Sequence, residues 1–313
     1  MSLELLKTAF AKAPNCNDWS LQLLRITTSK RHGTRYASRQ IELSPAENLG
    51  NLVADISKRY GDNDVGELKH YTSVTDYDGT ADALTVYKLA PDNELIAEEL
   101  VAFLAAIATP DVEVDPLDFN PQAYVLKGVI IIDEVETPLK MISMQRPFTI
   151  LKNKYKFGIR GDRGVFEELS GKVLTLRPAI DVIILGSTVY FLTLAGETLF
   201  NMERSYKAIC TEKVQMVQDC AIVTDAESFR AVAATGHNPR RFVSFDEGRL
   251  NKLKKAKSRM AMAKKFEIPL VGNRFDTSVD GVSEKIVKLL CKKGMVDPFE
   301  DLPVEVAGAK KWE

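Results

Sequence analysis

Cysteine is scarce in this chain. Cys16, Cys210, Cys220 and Cys291 are the only four in 313 residues, and no two stand at C-x-x-C spacing. That argues against a disulfide-stapled secreted scaffold and fits reduced thiols in a cytosolic protein. Histidine is scarcer still. His32, His70 and His237 are alone, none paired with His or Cys at metal spacing, so zinc is not expected. There is no G-x-x-x-x-G-K-[ST] phosphate loop. The run Val129-Ile130-Ile131-Ile132-Asp133-Glu134 imitates the strand-plus-acid of ATPases, but without that loop it reads as a strand running into a polar turn. No G-x-S-x-G elbow or catalytic-cysteine signature appears. Long apolar runs are missing too. Leu95–Ala108 and Val182–Leu194 fall short of the roughly 20 residues a membrane helix needs. The N-terminus MSLELLKTAF lacks the apolar core of a signal peptide. If the protein works at a membrane, something other than a spanning segment must hold it there.

What the chain does have is concentrated positive charge. The formal net charge is −1, yet the segment from Arg240 to Lys265 carries ten basic residues against two acids, Asp246 and Glu247. Its local charge is +8, and the rest of the chain sums to about −9. Such a field attracts phosphates. Ser244 followed by Glu247 has capping-box spacing. Leu250, Leu253, Ala256, Met260 and Ala263 recur at helical spacing, which predicts one helix to about Lys265. No acid stands between Gly248 and Lys265 to form i,i+4 pairs, although charge runs are usually just solvated faces. The candidate phosphate contacts are Arg240, Arg241, Arg249, Lys252, Lys254, Lys255, Lys257 and Arg259. Lysine is a point charge suited to neutralising a backbone, so weak sequence preference is expected.

The length predicts two domains. Thr109–Pro121 is rich in proline and acids and reads as the connection. The expected division is an α+β domain over 1–118, for docking or dimerisation, and a second over 119–313 with the basic helix and a short tail. Alternating patterns predict strands at 19–28, 35–43, 70–76, 83–90, 123–135, 139–146, 149–159 and 172–176. Helices are predicted at 44–60, 94–108, 197–210, 211–218, 227–235 and 283–293. Glu136-Thr137-Pro138 reads as a turn. Ile180–Leu194 is the clearest hairpin, with Gly186 suited to a type II′ turn. Strands grouped before helices give an α+β class, with antiparallel sheets and hairpins packed on helices.

Weaker signals remain. Lys152, Lys154 and Lys156 alternate onto one strand face and are secondary DNA-binding candidates. Arg25, Lys30, Arg31, Arg35 and Arg39 form another basic cluster, read mainly as solvated surface. Asp62, Asp64, Glu67 and Lys69 are the nearest approach to a metal-dependent nuclease centre, and they sit in what reads as a polar loop. Gly158–Gly164 reads as a surface turn.

Residues Ala179–Cys210 (AIDVIILGSTVYFLTLAGETLFNMERSYKAIC), the basic helix, and Phe266–Gly294 (FEIPLVGNRFDTSVDGVSEKIVKLLCKKG) together resemble the KwaB family of Kiwa anti-phage defence. The likeness spans roughly residues 120–295. At the helix entry this chain carries Gly196-Glu197 where an aromatic–acid pair is expected. The resemblance implies a DNA-binding effector that blocks phage DNA replication or late expression without catalysis. It further implies a small multi-span membrane partner, KwaA, a homodimer, and a cytoplasmic protein peripheral to the inner membrane that does not insert. It supplies no catalytic residues, and no metal or cofactor is expected. Two rival readings are a metal-dependent nuclease and a pure adaptor whose basic helix docks the membrane partner. If six or more of the candidate cations contact phosphates, affinity should fall about 10³-fold or more between about 50 and 200 mM salt.

Overall fold

The computed structural model describes residues 3–16, 18–29, 33–42, 49–61, 66–79, 84–111, 119–144, 159–162, 165–168, 176–296 and 303–305. The chain divides into two compact units, one of Met1–Asp76 with Ala83–Asn201, the other of Tyr77–Asp82 with Met202–Glu313. The division expected at 118 falls inside the first unit. A strand from before it pairs directly with a strand from after it, Leu21 opposite Leu126. A proline-rich acidic stretch reads the same whether it links domains or neighbouring strands, and backbone pairing decides between them.

The first unit runs α1 (Leu3–Lys12), β1 (Ser20–Ser29), β2 (Gly33–Ile41), α2 (Gly50–Gly61), β3 (Ser73–Asp76), β4 (Thr85–Leu89) and α3 (Ala97–Ala108). It continues with β5 (Ala123–Ile132), β6 (Val135–Met144), a separate hairpin β7 (Ile159–Asp162) and β8 (Val165–Glu168), then β9 (Val182–Leu185), β10 (Thr188–Phe191) and α4 (Ala195–Leu199). Eight strands form one sheet in the order β2-β1-β5-β6-β9-β10-β4-β3. Among the described strands of this sheet only β3–β4 pair in parallel, so the expected α+β class holds with one parallel edge pair. Strand alternation sends Leu21, Leu23, Tyr124 and Leu126 to one face, where they join Leu6, Phe10, Ile56 and Tyr60 of α1 and α2. Phe10 stacks on Tyr60 at 5.0 Å. The opposite face receives α3. Phe103 meets Tyr36 and Phe200 edge-on at 5.8 and 5.9 Å. The last carbonyls of α3 have no intrahelical donors. Ser38 Oγ donates to Ala106 O at 2.7 Å, while Gln22 Nε2 and Lys127 Nζ donate to Ile107 O at 3.1 and 2.9 Å.

Two local expectations change. The β5–β6 turn is Asp133-Glu134, both left-handed at φ 48° and 65°, and not Glu136-Thr137-Pro138. Pro138 lies inside β6 opposite Val129, one residue before the β9 pairing begins at Leu139. There it lends its carbonyl to Gly186 N at 2.9 Å, and proline, lacking an N–H, is tolerated. At the entry to α4, a Cβ on Gly196 would stand 2.5 Å from the Phe191 ring. Packing therefore demands glycine where the resemblance predicts a larger residue.

The second unit is helical: α5 (Met202–Asp219), α6 (Ala226–Ala233), a single turn α7 (Asn238–Arg241), α8 (Glu247–Lys254), α9 (Ala256–Lys265) and α10 (Val282–Leu290). Two short hairpins complete it, β11 (Leu270–Val271) with β12 (Arg274–Phe275), and β13 (Gly294–Val296) with β14 (Pro303–Glu305). The two helices expected at 197–218 are instead α4 and one continuous α5. Phe229, Phe242, Phe275, Ile286 and Leu290 lie at the centre of the core. Tyr77, counted with this unit, places its hydroxyl 2.6 Å from that of Tyr206.

The single basic helix expected from Ser244 to Lys265 is two helices. Its N-cap is Asp246, whose Oδ1 accepts from Arg249 N at 3.0 Å. Ser244 instead donates its hydroxyl to Arg241 O and Cys291 O at 3.0 and 2.8 Å. The helix breaks at Lys255, which is extended (φ −78°, ψ 120°). Arg259 supports the break. It is 8% exposed. Its Nη1 donates to Leu253 O at 2.7 Å and to Lys254 O at 3.4 Å, both carbonyls that the end of α8 leaves unpaired. Its Nε donates to Asn273 O in the β11–β12 turn.

Arg259→Ala should lower stability by about 2–4 kcal/mol, since buried carbonyls lose a charged donor. Arg259→Lys should recover only part of this, because one ammonium cannot reproduce the planar fork. Gly196→Ala should lower stability by about 1–3 kcal/mol through overpacking against Phe191. Urea unfolding monitored by circular dichroism checks all three; wild-type midpoints would overturn the assignments.

Candidate nucleic-acid interface

The eight candidate cations separate by what their side chains already do. Arg240 is half-buried. Its Nε donates to Tyr77 Oη at 3.1 Å, and its guanidinium carbon lies 6.0 Å from the centre of that ring. Arg241 forms an ion pair with Glu284 and donates to Asn238 Oδ1 at 2.7 Å. Burial pushes the Glu284 carboxyl up, but Asn238 and Arg241 together hold it below its ordinary value. Arg259 is the buried brace of the helix break. These three arginines already have partners within the fold. The sequence showed their charge but not which acceptors the fold brings to them, among them Lys254 O, five residues from Arg259, and Tyr77 Oη, 163 residues from Arg240.

Arg249 is intermediate. It is half-buried, and one guanidinium nitrogen donates to Leu289 O at 2.7 Å. Lys252, Lys254, Lys255 and Lys257 are exposed and follow the break from the last turn of α8 into the first turn of α9. No carboxylate lies within 4.0 Å of their ammonium groups among the described residues. Lys264, also exposed, shares that condition. The segment's two acids are engaged elsewhere, Asp246 with Lys292 at 3.4 Å and Glu247 with Lys213 at 3.1 Å. The surviving array is thus lysine only, apart from Arg249 at its edge. It suits contacts with a phosphate backbone more than the bidentate reading of a base.

Lys152, Lys154 and Lys156 lie outside the described residues, as do Lys30, Arg31, Asp62 and Asp64. Arg25 lies 5.0 Å from the centre of the Phe119 ring, and Arg39 donates to Asp111 O at 3.0 Å. Glu67 is ion-paired with Arg59. Among the described residues no three His, Cys, Asp or Glu side chains gather as metal ligands would. Burial pushes the thiols of Cys210 and Cys291 up to about 11 and about 12. Neither is a thiolate at neutral pH. No helix among the described residues is long and apolar enough to cross a membrane.

Neither the curated proteins nor the solved structures yield a match to this chain. A protein-family model, described as Kiwa protein KwaB-like, matches residues 129–293. That is just over half of the chain, and it runs from β5 through the whole basic segment to the end of α10. The chain therefore belongs to the KwaB-like family and is a component of Kiwa anti-phage defence.

Proposed function

We propose that this Kiwa component acts by binding DNA, without catalysis, through the lysines around the α8–α9 break. The observation that carries the reading is the run Lys252, Lys254, Lys255 and Lys257, all exposed and none ion-paired among the described residues. Four cations held this close repel one another, and a phosphate backbone relieves the repulsion while releasing its own counterions. The arginines drawn into the fold leave a smaller footprint than eight contacts. The lysines favour backbone over base, so binding should be nearly independent of sequence. In this reading the protein is a cytoplasmic homodimer, which doubles the footprint. The membrane protein KwaA holds it at the inner membrane and couples phage attack to a block of phage DNA replication or late expression.

With about four phosphates neutralised, affinity for duplex DNA should fall about 10²-fold between about 50 and 200 mM salt. A flat salt response in a fluorescence-anisotropy titration would sink the reading. Replacing Lys254, Lys255 and Lys257 together by glutamate should weaken binding at least about 100-fold and leave the melting temperature unchanged, because all three are exposed. If this triple variant still binds DNA but no longer co-purifies with KwaA, the lysines are a docking surface for an acidic partner. If recovered DNA is cut in a Mg²⁺-dependent way that survives purification, the protein is a nuclease.

A further inference from the structure

The helix break does more than expose lysines. A cavity of about 500 Å³ lies between α8, α9 and the end of α10, all within the second unit. That volume is in the range of ligand pockets, roughly 300–1,000 Å³. Among the described residues, Leu253, Met262, Phe266 and Leu289 line it with apolar surface, Arg249, Lys252 and Lys265 supply the charged side chains, and Ser258 is the one neutral polar side chain. The described lining is therefore an apolar floor edged by cations, of which Arg249 and Lys252 concern a ligand most directly. Arg249 is already fixed. One of its guanidinium nitrogens donates to Leu289 O at 2.7 Å. The remaining N–H groups find no acceptor among the described residues, so an anion would meet a donor held in position.

We propose that this cavity binds a single-chain anionic amphiphile, a long-chain carboxylate. Its alkyl chain lies on Leu253, Met262, Phe266 and Leu289, and its carboxylate meets Arg249 and Lys252. Charge complementarity fixes the sign of the head group, and the floor fixes the nature of the tail. A nucleotide would also bring an anion and a flat apolar body. Its base, however, carries donors and acceptors along its edge, and among the described residues the apolar floor offers only the Ser258 hydroxyl to pair with them. Leaving such groups unmade is costly. An alkyl chain asks for no partners. The proposal is independent of DNA binding, although Lys252 belongs to both surfaces.

The test is isothermal titration calorimetry of laurate into the full-length protein, below the concentration at which laurate forms micelles. Inorganic phosphate, AMP and phosphatidylglycerol vesicles serve as separate probes. Saturable binding of laurate at one site per chain is expected, with none for phosphate or AMP. Ala261 is exposed on α9 and lines the cavity, so Ala261→Trp should fill it and weaken laurate binding at least about tenfold. Lys252→Glu should weaken laurate binding by about the same factor through the head group. Ala261→Trp leaves Lys254, Lys255 and Lys257 in place, so its affinity for DNA should stay within about twofold, which separates failure here from failure of the DNA reading. Melting temperatures of both variants confirm folding, and either alone suffices. Laurate binding that neither variant alters is nonspecific partition and overturns the site. Saturable AMP binding without laurate binding overturns it in favour of a nucleotide. Binding to vesicles without binding to laurate overturns it in favour of a bilayer surface.

Discussion

A guanidinium that leaves water must find acceptors for its N–H groups, and Arg259 finds them on the backbone. Its partners are the carbonyls of Leu253 and Lys254, where α8 has just ended, and of Asn273, in the turn between β11 and β12. No carboxylate shares the site among the described residues, so hydrogen bonds to peptide groups carry the buried charge. Removing either the arginine or its carbonyls would strand the other group, which makes the arrangement mutually dependent. Two surface features adjoin it. The exposed lysines Lys252, Lys254, Lys255 and Lys257 flank the break at Lys255, and the cavity lined by Leu253 and Phe266 lies beside it.

Elements with strong local signals were legible in the sequence. The β9–β10 hairpin is one, with Gly186 at φ 59° as a two-residue turn led by glycine requires. The β1–β2 hairpin and α6 also lie where alternation and helical spacing put them. Elements that depend on distant partners were not legible. Pro138 carries a turn signal, but its place in the sheet leaves that signal without effect. Ser244 and Asp246 both have capping chemistry. Tertiary contacts decide between them, because Ser244 is drawn to Cys291 O at the C-terminal end of α10. The extent of the sheet was invisible too, since pairing across residue 118 depends on register, and register is a property of two segments.

The candidate site follows the same pattern. Positive charge is a property of composition, so its concentration between Arg240 and Lys265 could be read directly. The availability of that charge could not. Arg240, Arg241 and Arg259 are taken up by Tyr77, Glu284 and backbone carbonyls, partners that lie between 5 and 163 residues away. The division is chemical. These arginines, with planar forks and several donors, are drawn into the fold, whereas the lysines around the break remain at the surface. The cavity had no signature at all, because its walls come from three helices and its shape from a break that periodicity did not mark.

The end of α3 has a consequence for folding fidelity. Its terminal carbonyls are met by Ser38 of β2, Gln22 of β1 and Lys127 of β5, all on one face of three adjacent strands. Side chains alternate along a strand, so a slip of one residue would turn each of these donors to the opposite face. The same slip would turn the apolar residues away from α1 and α2, so both faces oppose it: a shifted register would also bury α3 carbonyls with no donor and drive a lysine among Phe10 and Tyr60. The polar seam thus acts as a register mark, favouring one alignment of β2, β1 and β5 over its neighbours.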